Sequence, residues 1–417
     1  MGYNSGLAVL NSENRERRLL ESFTNMRIAQ YTNTYLPNIN GVSRSVNIFR
    51  EALTKQGYEI AVFAPDDGGT LEDDQNIHRY PAFEVKKFNY SLSLPVSRTA
   101  DKALVDFAPD VIHSHHPVWL GDIAVIKAEE MDLPLVFTFH TRYTEYSHYV
   151  PISQSITRET ILWKLTRYLR RCHHIITPSE SITEMLAKQG ITSQVTTIPT
   201  GIDLEPFRSA DGKALRSSLG WELKKVLVSV GRLAEEKNWL TLLEACARVM
   251  HEDREVRLLL VGDGPQREEL ERRAIELGLT GQVKFSGKVS FEQVPAYLKM
   301  GDLFCYASKT ETQGLVTLEA MAAGLPVVAV DATGTRDVVV DGVNGWLTED
   351  SSLALAEGIK KMLDGDEGRN HFAENNTQQI QRYDIRLLAQ RMVEVYKQAE
   401  EDQAAGRTIR VERLTRT

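Results

Sequence analysis

The sequence predicts an α/β protein made of two doubly wound, Rossmann-like domains that face a common cleft. Three observations predict it. Short aliphatic and β-branched runs alternate with helix-period segments, the alternation restarts after a polar stretch near residue 205, and 417 residues suit two large α/β units.

Residues 1–24 read as a polar extension, charged from Asn11 to Glu21 and without a strand-forming run. The fold is expected to begin with a strand at Met26–Tyr31 and a loop leading into a helix. Val42, Val46, Phe49 and Leu53 recur there at i, i+4, i+7 and i+11, and Gly57 is placed as a stop. Further strands are predicted at Glu59–Ala64, Asp110–His113, Leu135–Phe139, His174–Thr177 and Val195–Ile198. The same grammar restarts at Val226–Val230 and continues through Val256–Val261, Val283–Phe285, Leu303–Tyr306 and Pro326–Val330. Helices between parallel strands cover both faces of each sheet, and ligands then bind beyond the carboxyl ends of the strands.

The domains are drawn as 1–24, an extension; 25–205, an acceptor-binding domain; 206–381, a donor-binding domain; and 382–417, a helix and tail. Packing back onto the first domain is one placement for that helix. The Arg-rich tail from Gly406 reads as a frayed, solvated terminus rather than a lipid-headgroup contact.

Composition narrows the functional classes. The net charge of −8 divides evenly, with 20 Lys+Arg against 24 Asp+Glu through Glu205 and 29 against 33 beyond it. Neither half has the positive field of a nucleic-acid binder. No apolar run is long enough to span a bilayer, and the N-terminus carries neither a signal-peptide pattern nor a myristoylation pattern. Three scattered cysteines, Cys172, Cys246 and Cys305, suggest a reducing compartment. A cytoplasmic protein touching a membrane only peripherally is the expectation.

The strongest chemical signal runs from Ser308 to Pro326. A strand ends near Tyr306, a polar loop carries Glu311, and a helix starting near Gly314 would point the amides of Gly314, Leu315 and Val316 at an anion. Glu319 sits among Leu318 and Ala320-Met-Ala-Ala, where a carboxylate needs partners. A capped helix with two solvated acids is the plainer alternative. A second signal is Gly231-Arg232 followed by Lys237 after another strand, a guanidinium and an ammonium that together suit a diphosphate. A third is Asn40-Gly41 before the first helix, which reads equally as a ligand approach or a turn. Gly262-Asp-Gly264 lacks the third glycine of a dinucleotide fingerprint and is read as a strand-to-helix turn.

Eight of ten histidines precede residue 175, and His113, His115, His116 and His140 follow strands that end at the expected cleft. Hydrogen bonding or a structural role suits them better than metal ligation, since no acid or cysteine has matching spacing. A helix between Ser155 and Cys172 carries Ile161, Leu165, Tyr168, Leu169 and Cys172 on one side. Its stripe of Lys164, Arg167 and Arg171 is either a wet face or a contact for anionic lipid.

From Met26 to Lys397 the chain resembles the retaining, GT-B fold, family 4 nucleotide-sugar glycosyltransferases. Glu311 to Glu319 matches the E-x7-E motif and Arg232-x4-Lys237 the phosphate-binding pair of that family. Thr34-Tyr-Leu-Pro-x-x-Asn-Gly-Val42, Phe139-His-Thr-Arg-Tyr-x-x-Tyr146 and Thr310-Glu-Thr-Gln-Gly-Leu315 look most like diacylglycerol glucosyltransferases. One departure is Asn33, where relatives usually carry Asp. The resemblance implies that Arg232 and Lys237 hold the donor diphosphate, assisted by Gly41 and the amides of Gly314, Leu315 and Val316. It implies that Glu319 binds ribose hydroxyls, Glu311 the hydroxyls of the transferred sugar, and His140 faces the reacting sugar. Tyr143 and Tyr146 join His140 as acceptor-side candidates. UDP-glucose is the implied donor, GDP-mannose the runner-up, and a lipid such as 1,2-diacylglycerol the implied acceptor, with a soluble sugar or phosphatidylinositol as the alternative acceptors. No essential metal or other cofactor, and no nucleic-acid partner, is expected. A glycoside hydrolase and a non-catalytic nucleotide-sugar-binding protein are the competing readings. The first is disfavoured because Arg232 and Lys237 suit a diphosphate rather than a neutral glycan.

Overall fold

A computed structural model of the chain describes residues 26–38, 40–66, 75–85, 90–140, 154–311, 313–411 and 414. The extension expected at 1–24, with Tyr143 and Tyr146, lies outside the described residues. The chain forms two compact units, one reaching Gly201 and resuming at Ile385, the other spanning Ile202–Asp384.

The first unit contains strands β1 (Arg27–Tyr31), β2 (Glu59–Pro65), β3 (Ile77–Tyr80), β4 (Ala82–Val85), β5 (Tyr90–Ser93), β6 (Val111–Ser114), β7 (Leu135–Thr138), β8 (His174–Thr177) and β9 (Val195–Thr197). Seven make a parallel sheet in the order β3-β2-β1-β6-β7-β8-β9, while β4 and β5 form a separate antiparallel pair. Alternate residues serve opposite faces, which explains runs apolar at every position. Ile28, Ile60, Val111, Val136 and Ile176 pack with Phe49 and Leu53 of the Gly41–Lys55 helix. Their neighbours Ala29, Ala61, Ile112, Phe137 and Ile175 pack on the other side with Leu104, Ile123 and Leu165.

The second unit repeats the scheme with β10 (Lys225–Val230), β11 (Val256–Val261), β12 (Val283–Phe285), β13 (Leu303–Tyr306), β14 (Val327–Val330) and β15 (Gly345–Thr348). The order is β12-β11-β10-β13-β14-β15, again with parallel pairs. In both sheets the order reverses beside the first strand, at β1/β6 and at β10/β13. Loops leaving the carboxyl ends of these strands open a crevice there.

Four strands escape the sequence reading for one reason. β3 and β15 are sheet edges, mostly half-buried, and β4 and β5 make a small antiparallel pair, so none needs a continuous apolar run. The terminal helix begins at Ile385 rather than Arg382, because Ile380–Tyr383 forms a 3-10 turn. Its Leu388, Met392 and Tyr396 join Phe49 and Leu53 in the core of the first unit.

The tail corrects the reading of a frayed, solvated terminus. Ile409, Val411 and Leu414 are buried in the first unit's core. Ile409 N donates to Cys172 O (2.9 Å), Arg170 Nε to Val411 O (2.7 Å) and Leu414 N to Thr166 Oγ1 (3.1 Å). Three apolar side chains spaced among the arginines outweigh the ordering entropy of a short segment once a helix face is there to receive them.

The docking of the terminal helix gives a stability prediction. Leu388 is fully enclosed, so Leu388→Ala should destabilise the first unit by about 2–5 kcal/mol. Denaturant melts followed by a probe in that unit measure it, and a loss below about 0.5 kcal/mol contradicts the packing described.

Candidate active site

The second unit builds its site from two loops that leave β10 and β13, adjacent strands at the reversal point. After β10 the chain passes Gly231 and Arg232 into a short 3-10 turn, Glu235–Lys237, and Asn238 follows in a left-handed conformation (φ 58°). Asn238 Nδ2 donates to Ala307 O (3.2 Å) and Asp350 Oδ1 (2.8 Å), tying this loop to the one after β13. Trp239 Nε1 donates to Arg232 O (2.8 Å), fixing the backbone on which the guanidinium is carried.

Glu311 is the junction of these loops. Its Oε1 accepts from Tyr306 Oη (2.6 Å) and Ser308 Oγ (2.8 Å), and it is ion-paired with Lys237 Nζ. Burial pushes the carboxyl up, but the charge of Lys237 and the donors from Lys237, Tyr306 and Ser308 outweigh it, so Glu311 titrates below the usual range. Burial likewise pulls Lys237 down, and Tyr306 and Glu311 more than restore it, so its ammonium persists well past neutrality. Arg232, by contrast, is exposed, and its guanidinium has no acidic partner among the described residues. One cation of the pair is thus held by a carboxylate and the other is exposed.

The helix after this loop spans Leu315–Ala322, with Gly314 as its left-handed N-cap (φ 71°). Thr317, Leu318, Glu319, Ala320 and Met321 are buried, which places Glu319 inside the domain rather than on a wet face. A second glycine supports this loop. Gly334 has φ 80°, and a Cβ there would lie 2.5 Å from Glu311 O and 2.8 Å from Gln313 N. Gly262 and Gly264 have a packing role too: a Cβ on either would meet Gly231 O at 1.9 Å or Leu233 O at 2.4 Å. The turn therefore buttresses the Arg232 loop, in line with reading it as a strand-to-helix turn.

Gly41 and His140 lie in the first unit. Gly41 opens its helix, is exposed and has open space where a side chain would stand. The next two amides, Val42 N and Ser43 N, already donate to Asn40 Oδ1 (3.0 Å each), so the capping box uses donors that an anion would otherwise take. His140 Nε2 lies 2.9 Å from His115 Nδ1. His113 stands 4.2 Å from His115 ring to ring, and binds Tyr396 Oη (2.8 Å) and Thr138 Oγ1 (2.7 Å). Burial pushes His113 and His116 down to about 3 and holds His115 and His140 well below the usual imidazole range. The cluster is neutral at physiological pH. Among the described residues no group of His, Cys, Asp and Glu is arranged to hold a metal ion.

Asn33 is structural here: its Oδ1 accepts from Leu120 N (3.1 Å) and its Nδ2 donates to Val118 O (3.0 Å), capping the Leu120–Glu130 helix. The basic stripe is largely compensated. Lys164 pairs with Asp122 (3.0 Å) and Arg171 Nε with Glu129 (2.7 Å), while Arg167 lies 5.8 Å from the Trp163 ring, which is 53% exposed. No helix among the described residues is long and apolar enough to cross a membrane.

Of the residues singled out in the sequence, Lys237 and Glu311 meet directly, and Arg232, Gly314, Leu315, Val316 and Glu319 share their unit. Tyr306, Ser308 and Gly334 were missed. Tyr306 ends a predicted strand and reads there as core, and only the loop's return over β13 shows that its hydroxyl is used.

Both sheets and their reversal points define a GT-B glycosyltransferase scaffold. Solved structures agree: the Anabaena protein HepE in complex with UDP superposes with a TM-score of 0.74 at 23% identity, over 89% of this chain and 100% of that one. Sucrose-phosphate synthase from Thermosynechococcus elongatus gives 0.73 at 21%, over 90% and 99%. The Glycosyltransferase Family 4 model matches residues 39–206, and the Glycosyl transferases group 1 model matches residues 212–379. The alpha-monoglucosyldiacylglycerol synthase of Streptococcus pneumoniae is 32% identical over 337 residues, 77% of this chain and 75% of that one. The synthase of the same name from Acholeplasma laidlawii is 31% identical over 77% and 84%. The GDP-mannose-dependent alpha-mannosyltransferase of Mycobacterium tuberculosis is 32% identical over 77% and 83%. The chain belongs to the family 4 glycosyltransferases, and it is a hexosyltransferase rather than a glycoside hydrolase.

The close approach at Gly334 can be tested. Gly334→Ala forces a left-handed alanine, costing about 1–2 kcal/mol from the backbone alone, and drives a methyl into the Glu311 carbonyl. Denaturant melts should show a loss of at least that size; wild-type stability would mean that the two loops do not touch.

Proposed function

We propose that the protein transfers glucose from UDP-glucose to a lipid acceptor, 1,2-diacylglycerol, with retention of anomeric configuration. The observation that carries this reading is the Glu311 junction: a carboxylate tied by one oxygen to Lys237, on the loop that also carries the exposed Arg232. A fixed acceptor for sugar hydroxyls, paired with one cation and joined to a loop that carries another, suits a hexose joined to a diphosphate. The lipid acceptor and glucose are supported by the two alpha-monoglucosyldiacylglycerol synthases.

In this reading Arg232 and Lys237 grip the diphosphate, with the amides of Gly41, Gly314, Leu315 and Val316 assisting. Glu319 takes the ribose hydroxyls, Glu311 the glucose hydroxyls, and neutral His140 faces the reacting sugar, with Tyr143 and Tyr146 on the acceptor side. The bond from the anomeric carbon to phosphate oxygen breaks while the acceptor hydroxyl attacks the same face, and the departing phosphate takes the acceptor proton. Charge grows on the leaving phosphate, so preorganised cations and amides lower the barrier without a protein nucleophile or an essential metal. Membrane contact is peripheral, on the cytoplasmic side. With Lys164 and Arg171 paired to acids, Arg167 and the exposed Trp163 form its strongest part.

A second donor, GDP-mannose, is favoured by one observation, the 32% identity to the M. tuberculosis mannosyltransferase. UDP-glucose and GDP-mannose offered with vesicles containing diacylglycerol, phosphatidylinositol or neither separate the readings. Labelled α-glucosyl diacylglycerol formed from UDP-glucose is the expected product. Transfer only from GDP-mannose, or none to lipid, overturns it. Arg232→Ala and Lys237→Ala should each lower kcat by about 10²–10³ with the fold retained, and near-normal turnover in both removes the assigned diphosphate grip.

A further inference from the structure

We propose that Tyr306 and Ser308 are positioning residues that hold the Glu311 carboxylate by one oxygen and aim the other at the hydroxyls of the transferred sugar. The inference rests on the reading of Glu311 as a sugar-binding residue and adds what prepares it for that task.

Three donors converge on Oε1: Tyr306 Oη at 2.6 Å, Ser308 Oγ at 2.8 Å and Lys237 Nζ. Oε2 accepts no hydrogen bond from any described residue, although the Glu311 side chain is only 16% exposed. An ionised carboxylate is purely an acceptor, so a pinned Oε1 fixes the plane of the group and the direction of the remaining lone pairs. A sugar hydroxyl then meets an acceptor that needs no reorientation.

The two hydroxyls are themselves rigidly carried. Tyr306 ends β13 with its ring 2% exposed and 5.8 Å from the Phe304 ring, and Ser308 is fully buried two residues on. Burial and the neighbouring Glu311 charge push the Tyr306 phenol up, so it stays a donor at any working pH. Their presence also spares Lys237. An ammonium has three donors, and among the described residues Lys237 Nζ is bound only to Glu311. Because two neutral hydroxyls share the carboxylate, the remaining N–H groups of Lys237 stay available to the diphosphate.

The test compares wild type with Tyr306→Phe, Ser308→Ala and the double variant. Phenylalanine keeps the ring packing, so loss of fold is not the expected outcome, and melting curves check it. Three quantities are read: UDP affinity by calorimetry, kcat and KM for UDP-glucose, and the Glu311 titration by carboxyl carbon NMR. In the double variant UDP affinity should stay within about twofold and KM for UDP-glucose should rise roughly tenfold, the size of one or two hydrogen bonds to a charged group. Hydrogen bonds to a carboxylate favour its charged form. Removing two therefore raises the Glu311 titration and moves the acid limb of kcat/KM to higher pH. Wild-type KM with an unshifted titration overturns the proposal, as does a parallel loss of UDP and UDP-glucose affinity. Failure of the underlying reading looks different. Wild type would then bind no UDP-glucose while the variants still shift Glu311, and the sugar part of the proposal falls with that reading.

Discussion

The ion pair between Lys237 and Glu311 joins the loops after β10 and β13, and the second unit's site is arranged around it. Neither charge is tolerable alone in a half-buried position, because burial works against both ionised forms. Together, with Tyr306 and Ser308 sharing the carboxylate, they hold two segments 74 residues apart in one geometry. The rest of the local architecture protects that meeting. Gly334 lets a third loop lie against the Glu311 backbone, Asn238 ties the first loop to Ala307, and Gly262 and Gly264 allow the next turn to press on Gly231 and Leu233.

The same design logic governs both units. Each sheet is parallel, covered on both faces, and reverses its order beside its first strand. Buried strands must satisfy their backbone groups by ladder bonds, so chemistry is left to the loops at their carboxyl ends. In the second unit these loops carry charge, and in the first they carry neutral histidines. That contrast follows from burial. The imidazoles of His113, His115, His116 and His140 stand close together in a dry region, and a proton on any one would be costly. Such a cluster offers hydrogen bonds without charge.

Surface electrostatics needs the same care. Lys164, Arg167 and Arg171 form a stripe when counted along a helix, yet two of the three are answered by Asp122 and Glu129 of the neighbouring helix. Lateral pairing of this kind depends on which helix packs alongside. The local sequence of the Gln154–Leu169 helix contains no information on that.

Much of this molecule is legible in one dimension. Unbroken apolar runs define the central strands and a period-3.6 pattern the Gly41–Lys55 helix, because a sheet covered on both faces buries every residue and an amphipathic helix buries one face. Glu311, Glu319, Arg232 and Lys237 are recognisable because charged groups at fixed spacings stand out beside the apolar strands and helix around them. The edge strands β3 and β15 are not legible, since half-exposed edges relax the pattern. Nor is the docked tail, whose Ile409, Val411 and Leu414 are too few to signal a core and acquire one only against a folded helix. The positioning hydroxyls of Tyr306 and Ser308 belong to the same class. Sequence alone determined the sheet order's raw material and the charged groups of the site. Only the tertiary structure decided which oxygen of Glu311 the described residues hold, because that depends on donors brought together through space.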